Sequence, residues 1–116
     1  MANTYTLTVN QGETLSLVAT WKDSTGTPVN LTGYTAAATL RETYASTGTV
    51  LYLATTNSGI ALGGTAGTIT LTAAATATRA LTAPQSGVYD LELTSGGGVV
   101  TRLLEGQFNV TPEVTR

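Results

Sequence analysis

No histidine and no cysteine occur in the 116 residues. The first absence removes the side chain most often used as a general base and metal ligand near neutral pH. The second removes thiol nucleophiles, thiolate metal sites and disulfides. Charge is scarce as well: Asp, Glu, Lys and Arg make up 10% of the chain, against about 25% in an ordinary soluble protein. One lysine and four arginines cannot neutralise a long run of phosphates, which argues against nucleic-acid binding. Aromatic residues are only 6%. No apolar run reaches the length of a membrane helix. The opening Met1-Ala2-Asn3-Thr4-Tyr5 lacks the basic start and apolar core of a secretory signal. The expectation is a chain made in a cytoplasm, without a signal peptide or membrane insertion. Together these absences disfavour chemistry and leave a structural or binding role, with no enzyme activity, no metal and no cofactor.

What remains is enough for a fold. Hydrophobic residues are 41% and net charge is −2, as befits one globular domain over 1–116 with a core of its own. Threonine is the commonest residue, and the hydrophobic period is mostly two. Tyr5, Leu7 and Val9 alternate with Thr4, Thr6 and Thr8, and Leu15, Leu17, Ala19 and Trp21 alternate with Thr14, Ser16 and Thr20. Apolar side chains at every second position line one face of a strand. Threonine suits the other face, where its β-branch fits the pleat and its hydroxyl stays wet. Further strands are expected at Tyr34–Arg41, Val50–Thr55, Thr68–Thr72, Val88–Thr94, Val99–Glu105 and Gln107–Val110. The predicted core comprises Leu15, Leu17, Trp21, Leu40, Ile69, Leu71, Tyr89, Leu91 and Phe108.

Turn residues punctuate these runs. Asn10-Gln11-Gly12 separates the first two strands, and Asp23-Ser24-Thr25-Gly26 has the aspartate-first, glycine-fourth pattern of a type I turn. Ser95-Gly96-Gly97-Gly98 predicts a hairpin, and Gly63–Gly67 a turn before the Ile69 strand. Many strands between regular turns point to an all-β sandwich or barrel. One stretch departs from the rule. Ala73–Ala83 is alanine-rich and ends before Pro84, which predicts one short helical turn near 73–82. Residues 111–116 read as a short polar tail, with Pro112 limiting strand continuation.

Candidate sites are few. Asp90 and Glu92 share one strand face about 7 Å apart, a pairing that glycosidases exploit. Because Tyr89, Leu91 and Leu93 take the core side, the acids are expected on a solvated face. Glycine runs Gly63–Gly67 and Gly96–Gly98 do not open helices, so they read as turns and not phosphate cradles. The Asp23 turn lacks the alternating acids of a calcium loop. The glycosylation patterns at Asn30 and Asn109 are chance matches in so threonine-rich a chain. Trp21 is expected in the core. Tyr44 and Tyr52 are candidate interface anchors. Val100, Arg102 and Leu104 fall on one face of a strand whose other face, Val99, Thr101 and Leu103, is also apolar. Apolar side chains on both faces imply cover on both, so Val100, Arg102 and Leu104 are expected at a protein interface and Arg102 beside an acid.

Five segments recur together in one family of virion proteins: Val9-Asn10-Gln11-Gly12-Glu13-Thr14; Asp23–Gly33 with its Gly-x-Pro-Val-Asn-Leu-Thr-Gly corner; Gly67-Thr68-Ile69-Thr70-Leu71; Gly87-Val88-Tyr89-Asp90-Leu91-Glu92-Leu93; and Gly106-Gln107-Phe108-Asn109-Val110. Their order resembles the amino-terminal domain of bacteriophage baseplate upper proteins, from about Thr4 to Val110. The resemblance implies an immunoglobulin-like antiparallel β-sandwich of about 7–9 strands. It implies a non-enzymatic virion protein of the tail, baseplate or fibre attachment, and it carries no catalytic residues across. Family members usually continue into a fibre or receptor-adaptor region, whereas this sequence stops at Arg116. The partners expected are other virion proteins, and a homo-oligomer within the particle. Two other readings compete: a head-decoration protein clamping capsid subunits, and a carbohydrate-binding module using Trp21 or exposed tyrosines.

Overall fold

A computed structural model describes residues 3–45, 48–57 and 59–114. Nine strands form in order: β1 (Asn3–Thr4), β2 (Leu7–Asn10), β3 (Leu15–Thr20), β4 (Thr35–Arg41), β5 (Leu51–Ala54), β6 (Ile60–Leu62), β7 (Thr68–Ala73), β8 (Gln85–Thr94) and β9 (Val100–Thr111). Among the described residues one short α-helix, α1 (Ala75–Arg79), lies between β7 and β8, inside the alanine-rich stretch that predicts it. The strands make two sheets. The larger runs β1-β9-β8-β4-β5 with β2 also on β9, and the smaller runs β3-β7-β6. The order β3-β7-β6 opposite β5-β4-β8-β9 is that of the B-E-D and C′-C-F-G strands of an immunoglobulin-like sandwich. The expected all-β sandwich of that class is therefore the fold.

The sandwich is not antiparallel throughout. The first strand segments pair with β9 in parallel, Leu7 opposite Phe108 and Val9 opposite Val110, and Asn3 opposite Leu104. The chain passes from β1 to β2 through Tyr5, whose N–H donates to the Glu105 carbonyl at 3.0 Å. A backbone this close leaves no room for a side chain on β9. Residue 106 is glycine, with φ 155°, and a Cβ there would run into the Tyr5 carbonyl oxygen. The Tyr89 hydroxyl donates to that same carbonyl at 2.7 Å, so the crossing is held from both sides.

The inner faces build one core. Leu40, Ile69, Leu71, Leu91, Leu93 and Phe108 are essentially without exposure, joined by Val9, Leu31, Ala38, Ile60 and Val110. No cysteine bridges the sheets, and Leu91 of β8 is packed in the core without exposure. Of the predicted core, Leu15, Leu40, Ile69, Leu71, Tyr89, Leu91 and Phe108 are buried. Leu17 and Trp21 are half-buried against it, Leu17 on the edge strand β3.

Two expectations need correcting. The two short strands expected at 99–105 and 107–110 are one continuous strand, β9. Val100, Arg102 and Leu104 do not share a face. Leu91 pairs with Leu104 but its neighbour Glu92 pairs with Arg102, so Leu103 is an extra residue in a β-bulge. A bulge advances the side-chain alternation by one. Leu104 therefore turns with Leu91 toward the core, while Val100 and Arg102 point outward. The apolar character of both sides reflects this shift and not a second covered face. The polar tail is fastened through Glu113, while residues 115 and 116 lie outside the described residues. The Glu113 N–H donates to Gln11 Oε1 at 2.9 Å, and Arg79 pairs with the Glu113 carboxylate at 3.1 Å. The fully buried Thr78 completes this corner by accepting the Gly12 N–H and donating to the Glu13 carbonyl.

Two outcomes test the core. Leu91→Ala should lower unfolding free energy by about 2–5 kcal/mol, from lost burial plus the cavity left behind; unchanged denaturant unfolding would show its side chain elsewhere. Burial first, and the neighbouring Tyr5 phenol second, push the Tyr89 phenol from 10.0 up to about 12. The folded chain then keeps a proton that the unfolded chain releases. Stability should be intact below about pH 10 and decline as pH rises toward 12. Urea midpoints followed through that window should fall in the wild type and fall less steeply in Tyr89→Phe.

Candidate functional site

The outer face of the larger sheet gathers the charged and aromatic side chains that the sequence leaves without a core position. Register fixes it row by row. Tyr52 of β5 lies opposite Thr39 of β4, which lies opposite Asp90 of β8, which lies opposite Glu105 of β9. The next row sets Ala37, Glu92 and Arg102 side by side, and a further row sets Thr35, Thr94 and Val100. Cross-strand partners point to the same side of a sheet, so Tyr52, Arg102 and Val100 share one face.

Arg102 is its electrostatic centre. The guanidinium lies 3.3 Å from Glu105, 3.5 Å from Asp90 and 3.9 Å from Glu92. The Glu105 hydrogen bond first, and then the Asp90 charge, raise the Arg102 pKa above its ordinary value. Three carboxylates around one cation leave the patch net negative. The acids share the outward face expected of Asp90 and Glu92. Beside them is an open depression of about 160 Å³ lined by Thr39, Arg41, Tyr44, Val88, Asp90 and Arg102, among others. Tyr44 is 87% exposed, Val100 57% and Tyr52 49%. The structure thus brings Tyr44, Tyr52, Val100 and Arg102 to one face and sends Leu104 to the other.

The remaining candidates resolve into structure. Asp23 Oδ1 accepts from the Thr25 hydroxyl at 2.6 Å and from the Thr25 and Thr27 N–H groups. These bonds, the Thr25 hydroxyl first, lower its pKa. Its carboxylate is spent on the turn, which closes through the Gly26 N–H on the Asp23 carbonyl. Gly96–Gly98 form the β8–β9 hairpin, closed by Gly98 N–H on the Ser95 carbonyl. Trp21 is half-buried and packs edge-on against Tyr34, centroids 6.0 Å apart. Among the described residues, no group of three or more acidic, His or Cys side chains is placed to hold a metal.

One edge-capping side chain escapes sequence reasoning. Asn57 follows β5, accepts the Ala54 N–H at 2.9 Å and donates to the Tyr52 carbonyl at 3.2 Å. It thereby fills backbone groups of an edge strand. Asparagine in a Thr-Thr-Asn-Ser-Gly run signals a turn, but nothing local shows that it blocks a sheet edge.

No family model matches the chain, and no curated protein does. Among solved structures it is similar to one titled Tim-1, at 16% identity with a TM-score of 0.43, over 100% of this chain and 99% of that one.

The acidic surround gives Arg102 a measurable role. Arg102→Ala should fold with a thermal midpoint close to wild type, since exposed ion pairs contribute little. It leaves Asp90, Glu92 and Glu105 facing one another, so its midpoint should rise with added salt more than the wild type's. Equal salt dependence would mean that the four charges do not interact.

Proposed function

We propose that this chain is a non-enzymatic structural protein of a bacteriophage virion, a tail, baseplate or fibre-attachment component that docks through the outer face of its larger sheet. The virion part of the reading rests on the resemblance carried by the five ordered segments from Val9 to Val110. The docking part rests on one observation: Tyr44, Tyr52, Val100 and Arg102 stand exposed on a single sheet face. Tyrosine and arginine are the residues that most often anchor protein interfaces. An arginine already held by three carboxylates is pre-set in position, so a partner would meet an ordered donor and not a mobile side chain.

The acidic surround also gives the partner a chemistry. A face net negative around Arg102 favours a neighbour that presents a basic or amide-rich surface. A small, sparsely charged sandwich suits a component added to a growing particle.

The test is incorporation. Virions carrying a labelled copy, imaged by electron microscopy, should show the label at the tail or its tip, and a label distributed over the head would favour capsid decoration. The double variant Tyr52→Ala with Arg102→Ala should purify folded, keep its β-rich spectrum and be depleted from particles. Incorporation equal to wild type would remove this face as the docking surface.

A further inference from the structure

We infer that the β3 edge of the smaller sheet is a pairing surface for a second copy of this chain, the two β3 strands joining antiparallel about a two-fold axis at Val18. This interface lies on the other sheet from the docking face and does not depend on the virion reading.

The inference comes from where backbone hydrogen bonds go. Trp21 N–H donates to the Gly67 carbonyl at 2.8 Å, and these two residues continue the β3–β7 register, in which Ala19 faces Ile69 and Leu17 faces Leu71. In an antiparallel pair, residues alternate between those that exchange hydrogen bonds with the partner and those whose N–H and C=O point away. Odd-numbered residues of β3 therefore face β7. The opposite parity of β7 serves β6, as the bonds Thr72 N–H to Gly59 and Gly63 N–H to Thr68 show. Ser16, Val18 and Thr20 consequently direct three N–H and three C=O groups outward from the sheet edge. Among the described residues, none donates to or accepts from them.

The other edges are capped or short, and this one is neither. Asn57 caps β5, β6 has only three residues, and the larger sheet ends beyond β9 on β1 and β2, of two and four residues. β3 is six residues long and reads Leu-Ser-Leu-Val-Ala-Thr. It has no lysine, proline or bulge, the devices by which monomeric proteins blunt an edge.

Its sequence is also self-complementary. Antiparallel pairing about Val18 sets Val18 on Val18 of the second copy and Ser16 on Thr20, so that each copy satisfies all six groups of the other. Val18, 59% exposed, would meet its own copy on the outer face, and the two hydroxyl residues would pair beside it. The half-buried Leu17 and Ala19 on the inner side would gain cover. Glu13 and Lys22 bracket the strand, and the same register brings Lys22 of one copy within one residue of Glu13 of the other. A two-fold contact of this kind closes on itself and gives a dimer, not a filament.

Sedimentation of the full chain from micromolar to millimolar concentration tests it. Wild type should show reversible monomer–dimer exchange. Val18→Lys, which sets like charges directly opposite across the axis, should weaken dimerisation by at least about tenfold. Ser16→Lys is a second variant should the first not fold, and it should weaken the dimer as well. Val100→Lys, on the other sheet, should dimerise like wild type. A chain that stays monomeric throughout, a dimer indifferent to both β3 variants, or one lost equally in Val100→Lys would overturn the proposal. Because none of these readouts involves particles, failure here leaves the docking face untouched, and failed incorporation leaves this edge untouched.

Discussion

The commitment of the first strand segments to β9 organises the rest of the molecule. Residues 3–10 could in principle lie along either sheet, since Tyr5, Leu7 and Val9 offer the same alternation to both. They lie on β9, in parallel, with Leu7 and Val9 buried beside Phe108 and Val110. The junction that fixes this choice is small. The Tyr5 N–H meets the Glu105 carbonyl, Tyr89 holds the Tyr5 carbonyl, and Gly106 provides the space. Once made, the choice ends the larger sheet on the short β1 and β2 and leaves β3 at the edge of the smaller.

The bulge at Leu103 then divides the faces. It lets one strand of twelve residues serve the core on both sides of a register shift, with Leu103 and Phe108 both buried although they differ in parity. It also turns Arg102 outward among Asp90, Glu92 and Glu105, concentrating much of the chain's scarce charge on one sheet face. The opposite sheet presents Ser16, Val18, Thr20 and the β7 threonines, with no charged residue in its three strands. The two outer faces are thus chemically distinct, one polar and aromatic, the other neutral.

Much of this was legible from residue type alone. The threonine alternation marks β2, β3 and β7, the Ser95–Gly98 run marks the hairpin, and Asp23–Gly26 marks its turn, because each depends on interactions within a few residues. Non-local features were not legible. β6 is three residues between glycine turns, too short to show a period. The bulge makes an apolar run look two-faced, which misplaces Leu104. The parallel pairing, the space at Gly106 and the capping of β5 by Asn57 depend on which strands become neighbours. In the same way the outward direction of Tyr52 could be read from its place between Leu51 and Leu53, but its sharing a face with Arg102 could not.

Residue-resolved hydrogen exchange on dilute, monomeric chain tests the strand commitment most directly. Protection should alternate along β3, with the amides of Leu17, Ala19 and Trp21 slow and those of Ser16, Val18 and Thr20 as fast as exposed amides. The amides bonded across β2 and β9 should exchange slowly. Slow exchange at Ser16, Val18 and Thr20 in the monomer, together with fast exchange in β2, would place the first segment on β3 and contradict this account of the fold.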